Sequence, residues 1–325
     1  MLDLVIVGGS AAATAAGIYA ARRNLNFKIV SKDFGGEVAT SGEIGNWPGI
    51  KQTNGIELAE QFRDHLKFYE VEPELGVWVE KICKNDDGTF CVATKKKGEP
   101  ERGEKMQENG NGSPTCDCDY EAKTMIIATG AHPKTLNISG EKEFQGKGVT
   151  YCTTCDGPLF KDKITATIGG GNSALESAIM MSGIAKKHYV IIINPQFMGD
   201  KILVDKVSKL DNVETIFNAE TFEIIGDKFV TGLKYRDADT KEEKQLDVEG
   251  VLVHIGIVPN SGIAPDDVEK NNYGEILINT KSETNIPGLY AAGDVTNSFK
   301  QIVVATGQGA TAVLSAIEYL NRLEK

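Results

Sequence analysis

The residues of this chain best suited to chemistry are Cys152, Cys155 and Asp156, in the run Tyr151-Cys152-Thr153-Thr154-Cys155-Asp156-Gly157. Cysteines three apart on a turn or first helical turn have Cα atoms about 5–6 Å apart, a separation that a disulfide spans without backbone movement. Such a pair is a switchable dithiol. Thiol–disulfide exchange runs through the thiolate, so an acid directly after the second cysteine can pass a proton to or from sulfur. Taken alone, a C-x-x-C also fits half of a structural zinc site or two buried thiols. The elements around it must discriminate.

A chain of 325 residues is expected to hold about two domains, each with its own core. With 35 Lys and Arg against 46 Asp and Glu, the formal charge of −11 leaves no basic surface for nucleic acid or anionic lipid, so neither is expected as a partner. Six cysteines over this length are ordinary usage and suit a reducing compartment, which makes the cytoplasm the expected location. The uncharged run Leu4 to Ala21 lacks a basic segment before it, follows Asp3 and is broken by Gly8-Gly9-Ser10. It reads as strand, turn and helix rather than as a signal peptide or membrane span.

That first unit, Leu4 to Val7, then Gly8-Gly9-Ser10-Ala11-Ala12-Ala13, a helix to about Arg23 and a strand from Phe27 to Val30, is a dinucleotide-binding pattern. In it a diphosphate rests on the helix N-terminus. Ser10 stands where a glycine normally lets backbone touch the diphosphate, and the acid expected after the second strand is displaced to Asp33. Gly35-Gly36-Glu37 and Gly45-Asn46-Trp47-Pro48-Gly49 suit backbone passing a planar ligand. Gly55 to Tyr69 predicts an amphipathic helix with Ile56, Ala59, Phe62, Leu66 and Tyr69 on one face and His65 on the surface. Strands follow on either side of Asp86-Asp87-Gly88, then a charged, extended insertion over 95–119. Its Cys116 and Cys118 read as paired surface thiols, the alternative being four zinc thiolates shared with Cys152 and Cys155. Met125 to Gly130 is a buried strand ending in the turn Ala128-Thr129-Gly130.

After the C-x-x-C a second unit matches the fingerprint in full: the strand Ile164 to Ile168, then Gly169-Gly170-Gly171-Asn172-Ser173-Ala174, a helix, and a strand Tyr189 to Ile193. Where basic residues would read a 2′-phosphate the chain has Asn194 to Asp200, with Lys201 the nearest cation, which argues against NADPH. Val213 to Val253 reads as a β-meander, and His254 as a packed strand residue. Near the end, Asp294 follows a buried strand and precedes Lys300-Gln301 and a helix from about Ala305 to Asn321.

With these residues assembled, the chain resembles the low-molecular-weight thioredoxin reductase family along essentially its whole length. The matching motifs are Cys152-Thr-Thr-Cys155-Asp156-Gly157, Gly169 to Ala174, Asn46-Trp-Pro-Gly49, Ala128-Thr-Gly130 and Ala291-Ala-Gly-Asp294-Val. The resemblance implies an α/β fold of two Rossmann-like, doubly wound domains of the three-layer ββα type, the second inserted in the first. An FAD domain would comprise residues 1–133 and 254–325, a nucleotide and redox-disulfide domain residues 134–253, and the protein would be a homodimer. FAD would be held by Gly8, Ser10, Ala11, Ala12, Asp33, Gly36, Glu37, Asn46, Ala128, Thr129, Gly130, Gly293, Asp294, Lys300, Gln301 and Ile302. The nicotinamide nucleotide would lie on Gly169, Gly171, Asn172, Ser173 and Ala174. In family terms Cys155 faces the flavin, Cys152 attacks the protein disulfide and Asp156 is the acid/base. The family's arginine-rich HRRxxxR segment is absent, and members lacking it take electrons poorly from NADPH, some using reduced ferredoxin.

The expected function is therefore passage of electrons from NADH or ferredoxin, rather than NADPH, through FAD and the Cys152–Cys155 disulfide to a thioredoxin-like protein. The two linkers near Ala131 and His254 would act as hinges. The competing readings are an FAD-dependent dithiol oxidase using oxygen and a non-enzymatic nucleotide-binding redox sensor.

Overall fold

Along the strand Leu2–Val7, Leu4 and Ile6 pack into one apolar cluster and Val5 and Val7 into another. Both faces are covered, which explains why this strand is apolar without alternation. The computed structural model describes residues 1–41, 43–96 and 118–323, with the backbone alone at Glu43, Lys96 and Cys155. The chain divides into two units, residues Met1–His132 with Val258–Lys325, and residues Pro133–Ile257.

In the first unit the strand Leu2–Val7 lies between parallel strands Phe27–Ser31 and Tyr120–Ile127. The last of these also pairs with Leu289–Ala291 near its C-terminal end and with the hairpin strand Phe90–Lys96 near its start. One face carries the helices Ala11–Arg22, Gly55–Phe68 and Ile302–Leu323. The first and last of these approach closely because a Cβ at Gly309 would meet the Ala12 carbonyl oxygen at 2.0 Å. The helix Gly55–Phe68 buries Leu58, Ala59, Phe62 and Leu66, but Ile56, expected on that face, is 64 % exposed. Leu58 takes the core-facing place in the first turn. Asn54 caps this helix by accepting from the Glu57 N–H at 3.0 Å.

The second unit is a five-stranded parallel sheet in the order Val149–Thr150, Gly250–Val253, Ile164–Ile168, Lys187–Ile191, Val213–Ile216. The helix Asn172–Ser182 covers one face, and an antiparallel sheet of Ala219–Gly226, Val230–Asp237 and Glu243–Leu246 lies beyond the other. Two expectations are corrected here. The stretch Val213 to Val253 is not one meander, since its first and last strands join the parallel sheet. The strand expected at Tyr189 to Ile193 runs from Lys187 to Ile191, leaving Ile193 60 % exposed. Periodicity cannot separate these cases, because a short apolar strand reads alike in either kind of sheet.

The expected insertion 95–119 lies largely outside the described residues, and Cys116 with it. Cys118 is not half of a pair of surface thiols, because it is disulfide-bonded to Cys91. Among the described residues no helix is long and apolar enough to cross a membrane.

Candidate active site: two nucleotide turns and a dithiol

Each unit builds the same turn. Gly8 has φ +139°, and a Cβ there would stand 2.1 Å from the carbonyl oxygen of Ala128. Gly169 has φ +138°, and its Cβ would stand 2.1 Å from the carbonyl oxygen of His254. The backbone bonds correspond as well: Ala128 N–H donates to Val7 at 2.7 Å and His254 N–H to Ile168 at 2.8 Å. In both turns the strand end of a neighbouring strand presses on a glycine that no L side chain can replace without strain. His254 thus occupies in the second unit the place that Ala128 occupies in the first.

At the first turn the Ser10 hydroxyl donates to the Gly35 carbonyl at 2.6 Å and does not cap its own helix. Serine here staples the turn to the loop behind it, so the amides of the first helical turn keep their capacity for an anion. The Asp33 side chain is exposed and 4.0 Å from Lys32, while its carbonyl backs Gly9. Glu37 and Asp294 approach closely enough to interact electrostatically; partial burial holds both carboxyl pKa values above the usual range, with Lys300 opposing at Asp294. Two adjacent, partly desolvated acceptors call for hydroxyl donors. Gly293 packs 3.3 Å, from its Cβ position, against Ala12, and Asn46 donates to Gln301 at 3.1 Å. Gly36 and Ile302 begin short and long helices beside these groups, and Thr129 donates to Asn260 at 2.8 Å across the Ala128-Thr129-Gly130 turn. Lys300 is committed elsewhere, pairing with Glu275 at 2.7 Å and donating to the Thr296 carbonyl. The open helix N-terminus, the bare Gly8 cradle and the carboxylate pair fit the diphosphate and polyol of FAD.

At the second turn Asn172 and Asp200 exchange hydrogen bonds, Asn172 Nδ2 to Asp200 at 2.9 Å and Asp200 N–H to Asn172 Oδ1 at 2.7 Å. A Cβ at Gly171 would meet nothing within 4 Å, which leaves the helix N-terminus open, and the Ala174 side chain backs Gly169. Lys201 is paired with Asp205 at 2.8 Å, so the one nearby cation expected from the sequence is already partnered.

Cys152 directly precedes the short helix Thr153–Asp156, which carries Cys155, and both follow the strand Val149–Thr150. Cys152 is disulfide-bonded, and the side chain of Cys155 lies outside the described residues. The Thr150 hydroxyl works both ways round this turn: it donates to the Asp156 carboxylate and accepts the Cys152 N–H at 3.1 Å. Asp156 is thereby fixed beside the cysteine segment. Tyr151 donates to Glu141 at 2.9 Å, and burial, then this carboxylate, push its hydroxyl pKa well up.

Sequence reasoning missed the group that binds the dithiol to the nucleotide turn. His254 Nε2 is 2.7 Å from Thr153 Oγ1, between the two cysteines in sequence, and His254 Nδ1 is 2.8 Å from Ser173 Oγ in the first turn of the nucleotide helix. The chain continues from Thr153 to Ser177 at 2.6 Å, Thr167 at 2.8 Å, His188 at 3.0 Å and Thr165 at 2.8 Å. With the imidazole proton on Nε2, each hydroxyl can donate once in a single direction along the chain. Its one legible signal is the polar alternation of Thr165 and Thr167 with Ala166 and Ile168 in a strand buried on both faces.

Burial holds both imidazoles neutral, lowering the pKa of His254 to about 4 and that of His188 to about 3. The unfolded chain takes up these protons below its ordinary pKa near ~6.5, whereas the folded chain does not until the depressed values are reached. Stability is therefore full above the unfolded value and is lost as pH falls toward the folded ones, by roughly 3 kcal/mol for His254. Urea unfolding midpoints at pH 7, 6 and 5 should fall in that order, with His254→Gln flattening the slope.

Two nucleotide turns of one design, one of them tied to a dithiol, define a class of flavin-dependent disulfide oxidoreductases. The chain belongs to the family described as pyridine nucleotide-disulphide oxidoreductase, whose pattern matches residues 2–309. Within it the chain resembles the low-molecular-weight thioredoxin reductases. It is similar to thioredoxin reductase from Streptococcus pyogenes, with 33 % identity and a TM-score of 0.79 over 99 % of each chain. It is also 39 % identical, over 98 % of its length, to an NADH dehydrogenase of Bacillus subtilis and to a component of the alkyl hydroperoxide reductase of Staphylococcus aureus. It spans 59 % of the length of each of these two relatives.

Proposed function

We propose that this chain passes two electrons from NADH through FAD and the Cys152–Cys155 pair to the disulfide of a thioredoxin-like protein. The observation that carries the reading is the Thr153–His254–Ser173 bridge, which builds the dithiol and the second nucleotide turn into one unit. FAD, when bound, accepts a hydride and returns the electron pair to a disulfide. The chain's own residues do the rest. The Gly8 turn, Glu37 and Asp294 bind and orient the flavin nucleotide, and the Gly169 turn receives the donor's diphosphate. Cys152 as thiolate attacks the partner disulfide, Cys155 resolves the mixed disulfide, and Asp156, held by Thr150, moves the proton at sulfur.

NADH is favoured over NADPH because the segment after the strand Lys187–Ile191 offers no arginine and its lysine is paired with Asp205. The similarity to an NADH dehydrogenase supports this donor. The test is anaerobic absorbance titration of the flavin-loaded protein with NADH, NADPH and reduced ferredoxin in parallel, followed by addition of oxidised thioredoxin. Bleaching by NADH and recovery on thioredoxin are expected. Bleaching by ferredoxin alone overturns the nicotinamide step, and turnover with oxygen and a dithiol alone overturns the direction of flow.

A further inference from the structure

The hydrogen-bonded line that joins the nucleotide turn to the cysteine segment has a direction, and no step above uses it. All of it lies in the unit Pro133–Ile257. It starts at Ser173, exposed in the first turn of the helix Asn172–Ser182, and passes through both ring nitrogens of His254 to Thr153. From there it runs through Ser177 and Thr167 to His188. Behind His254 each of these residues is at most 5 % exposed, so water does not replace a lost link. Burial keeps both rings neutral at pH 7, and a neutral imidazole has one N–H and one bare nitrogen, while a hydroxyl has one hydrogen to give. Thr153 donates to Ser177 at 2.6 Å. The link from Thr153 to His254 is then made by an Nε2–H, and Nδ1, left bare, accepts the Ser173 hydroxyl at 2.8 Å. In this arrangement the Ser173 hydrogen points inward, and its lone pairs face the open helix N-terminus.

A diphosphate offers only acceptors, so it repels those lone pairs and attracts a Ser173 hydroxyl turned outward. We propose that His254 is a positioning residue for the nucleotide: it frees the Ser173 hydroxyl to donate to the diphosphate by carrying its own proton on Nδ1 instead of Nε2. The proposal rests on the reading of the Gly169 turn as the donor's site. Once Ser173 donates outward, its link to His254 survives only as Nδ1–H to Ser173 Oγ. Nε2 is then bare, and its link survives only if Thr153 donates to it. Ser177 must in turn donate to Thr153, Thr167 to Ser177, and His188 Nε2–H to Thr167. His254 takes up one proton at Nδ1 and releases one from Nε2, and the hydroxyls turn about their C–O bonds, so charge and proton count are unchanged. The Thr153 hydroxyl, next to Cys152 in sequence, swings from Ser177 to His254. The cysteine segment thereby registers whether the nucleotide is bound.

The test uses the full, flavin-loaded, oxidised chain with its 4 histidines labelled with nitrogen-15. Long-range proton–nitrogen spectra near neutral pH read each ring nitrogen as protonated or bare, with and without saturating NAD+, which leaves the flavin oxidised. Signals are assigned with His65→Gln, His132→Gln and His254→Gln, the remaining one being His188, and bound NAD+ is measured in every sample by equilibrium dialysis. NAD+ is expected to move the His254 proton from Nε2 to Nδ1, and in the complex His188 carries its proton on Nε2. Ser173→Ala should bind NAD+ at least about tenfold more weakly, the loss of one hydrogen bond to a charged group, and keep the His254 proton on Nε2 even when saturated. Ser173→Thr, which retains a hydroxyl, should switch as the unaltered chain does. Bound NAD+ with the His254 proton still on Nε2 overturns the proposal and leaves the Gly169 turn as the nucleotide site. A His254 proton on Nδ1 before NAD+ is added, or a switch that persists in Ser173→Ala, overturns it as well. Absence of NAD+ binding overturns the reading of the turn itself, and the proposal with it.

Discussion

Gly8→Ala yields a protein with less than about a tenth of the normal flavin, read from the ratio of visible to ultraviolet absorbance. Gly169→Ala stays yellow but binds NADH at least about a hundredfold more weakly. The added methyl in each case would stand 2.1 Å from a carbonyl oxygen that closes the turn, at a φ near +138° that L residues rarely adopt. Positive φ alone costs about 1–2 kcal/mol, and displacing the strand-end carbonyl adds to it. A hundredfold loss corresponds to about 2.8 kcal/mol. The pair of variants separates two nucleotides by one kind of change. Should Gly8→Ala keep full flavin, the first turn is not the diphosphate site, and should Gly169→Ala keep its NADH affinity, the donor does not use the second.

Cys152→Ser abolishes reduction of a thioredoxin-like partner, by at least about a thousandfold, while leaving flavin content unchanged, because the thiolate is the only nucleophile the exchange can use. Asp156→Asn lowers the same rate about a hundredfold, within the range for loss of one general acid/base. Thr150→Val should lower it less and steepen its pH dependence, since it leaves Asp156 in place but removes the hydroxyl that holds it. Stopped-flow traces of flavin reduction and of partner reduction, taken across pH 6–9, distinguish these outcomes. Equal loss in both half-reactions for Asp156→Asn would place the residue in structure rather than in proton transfer.

Much of this protein is local in origin. A strand, a glycine turn and a helix are dictated by residues within a few positions of one another, so both nucleotide units and the C-x-x-C with its acid were legible from spacing alone. The residues expected around the first turn were legible as motifs too, but their contacts were not. Ser10 donates to the Gly35 carbonyl, and Lys300 pairs with Glu275 and donates to the Thr296 carbonyl. Pattern failed where a partner comes from far along the chain. Ile56 and Leu58 differ by two positions and either could face the core; packing against the sheet chose Leu58.

The sequence by itself determined which residues can do chemistry and which turns can cradle a diphosphate, because those properties belong to residue type and near neighbours. Only the tertiary structure decided that His254 joins Thr153 across 101 positions and that Cys118 bonds Cys91 across 27. The reason is physical: a strand end and a sheet neighbour are set by how each sheet orders its strands, parallel around His254 and antiparallel around Cys91, and no local propensity encodes that order.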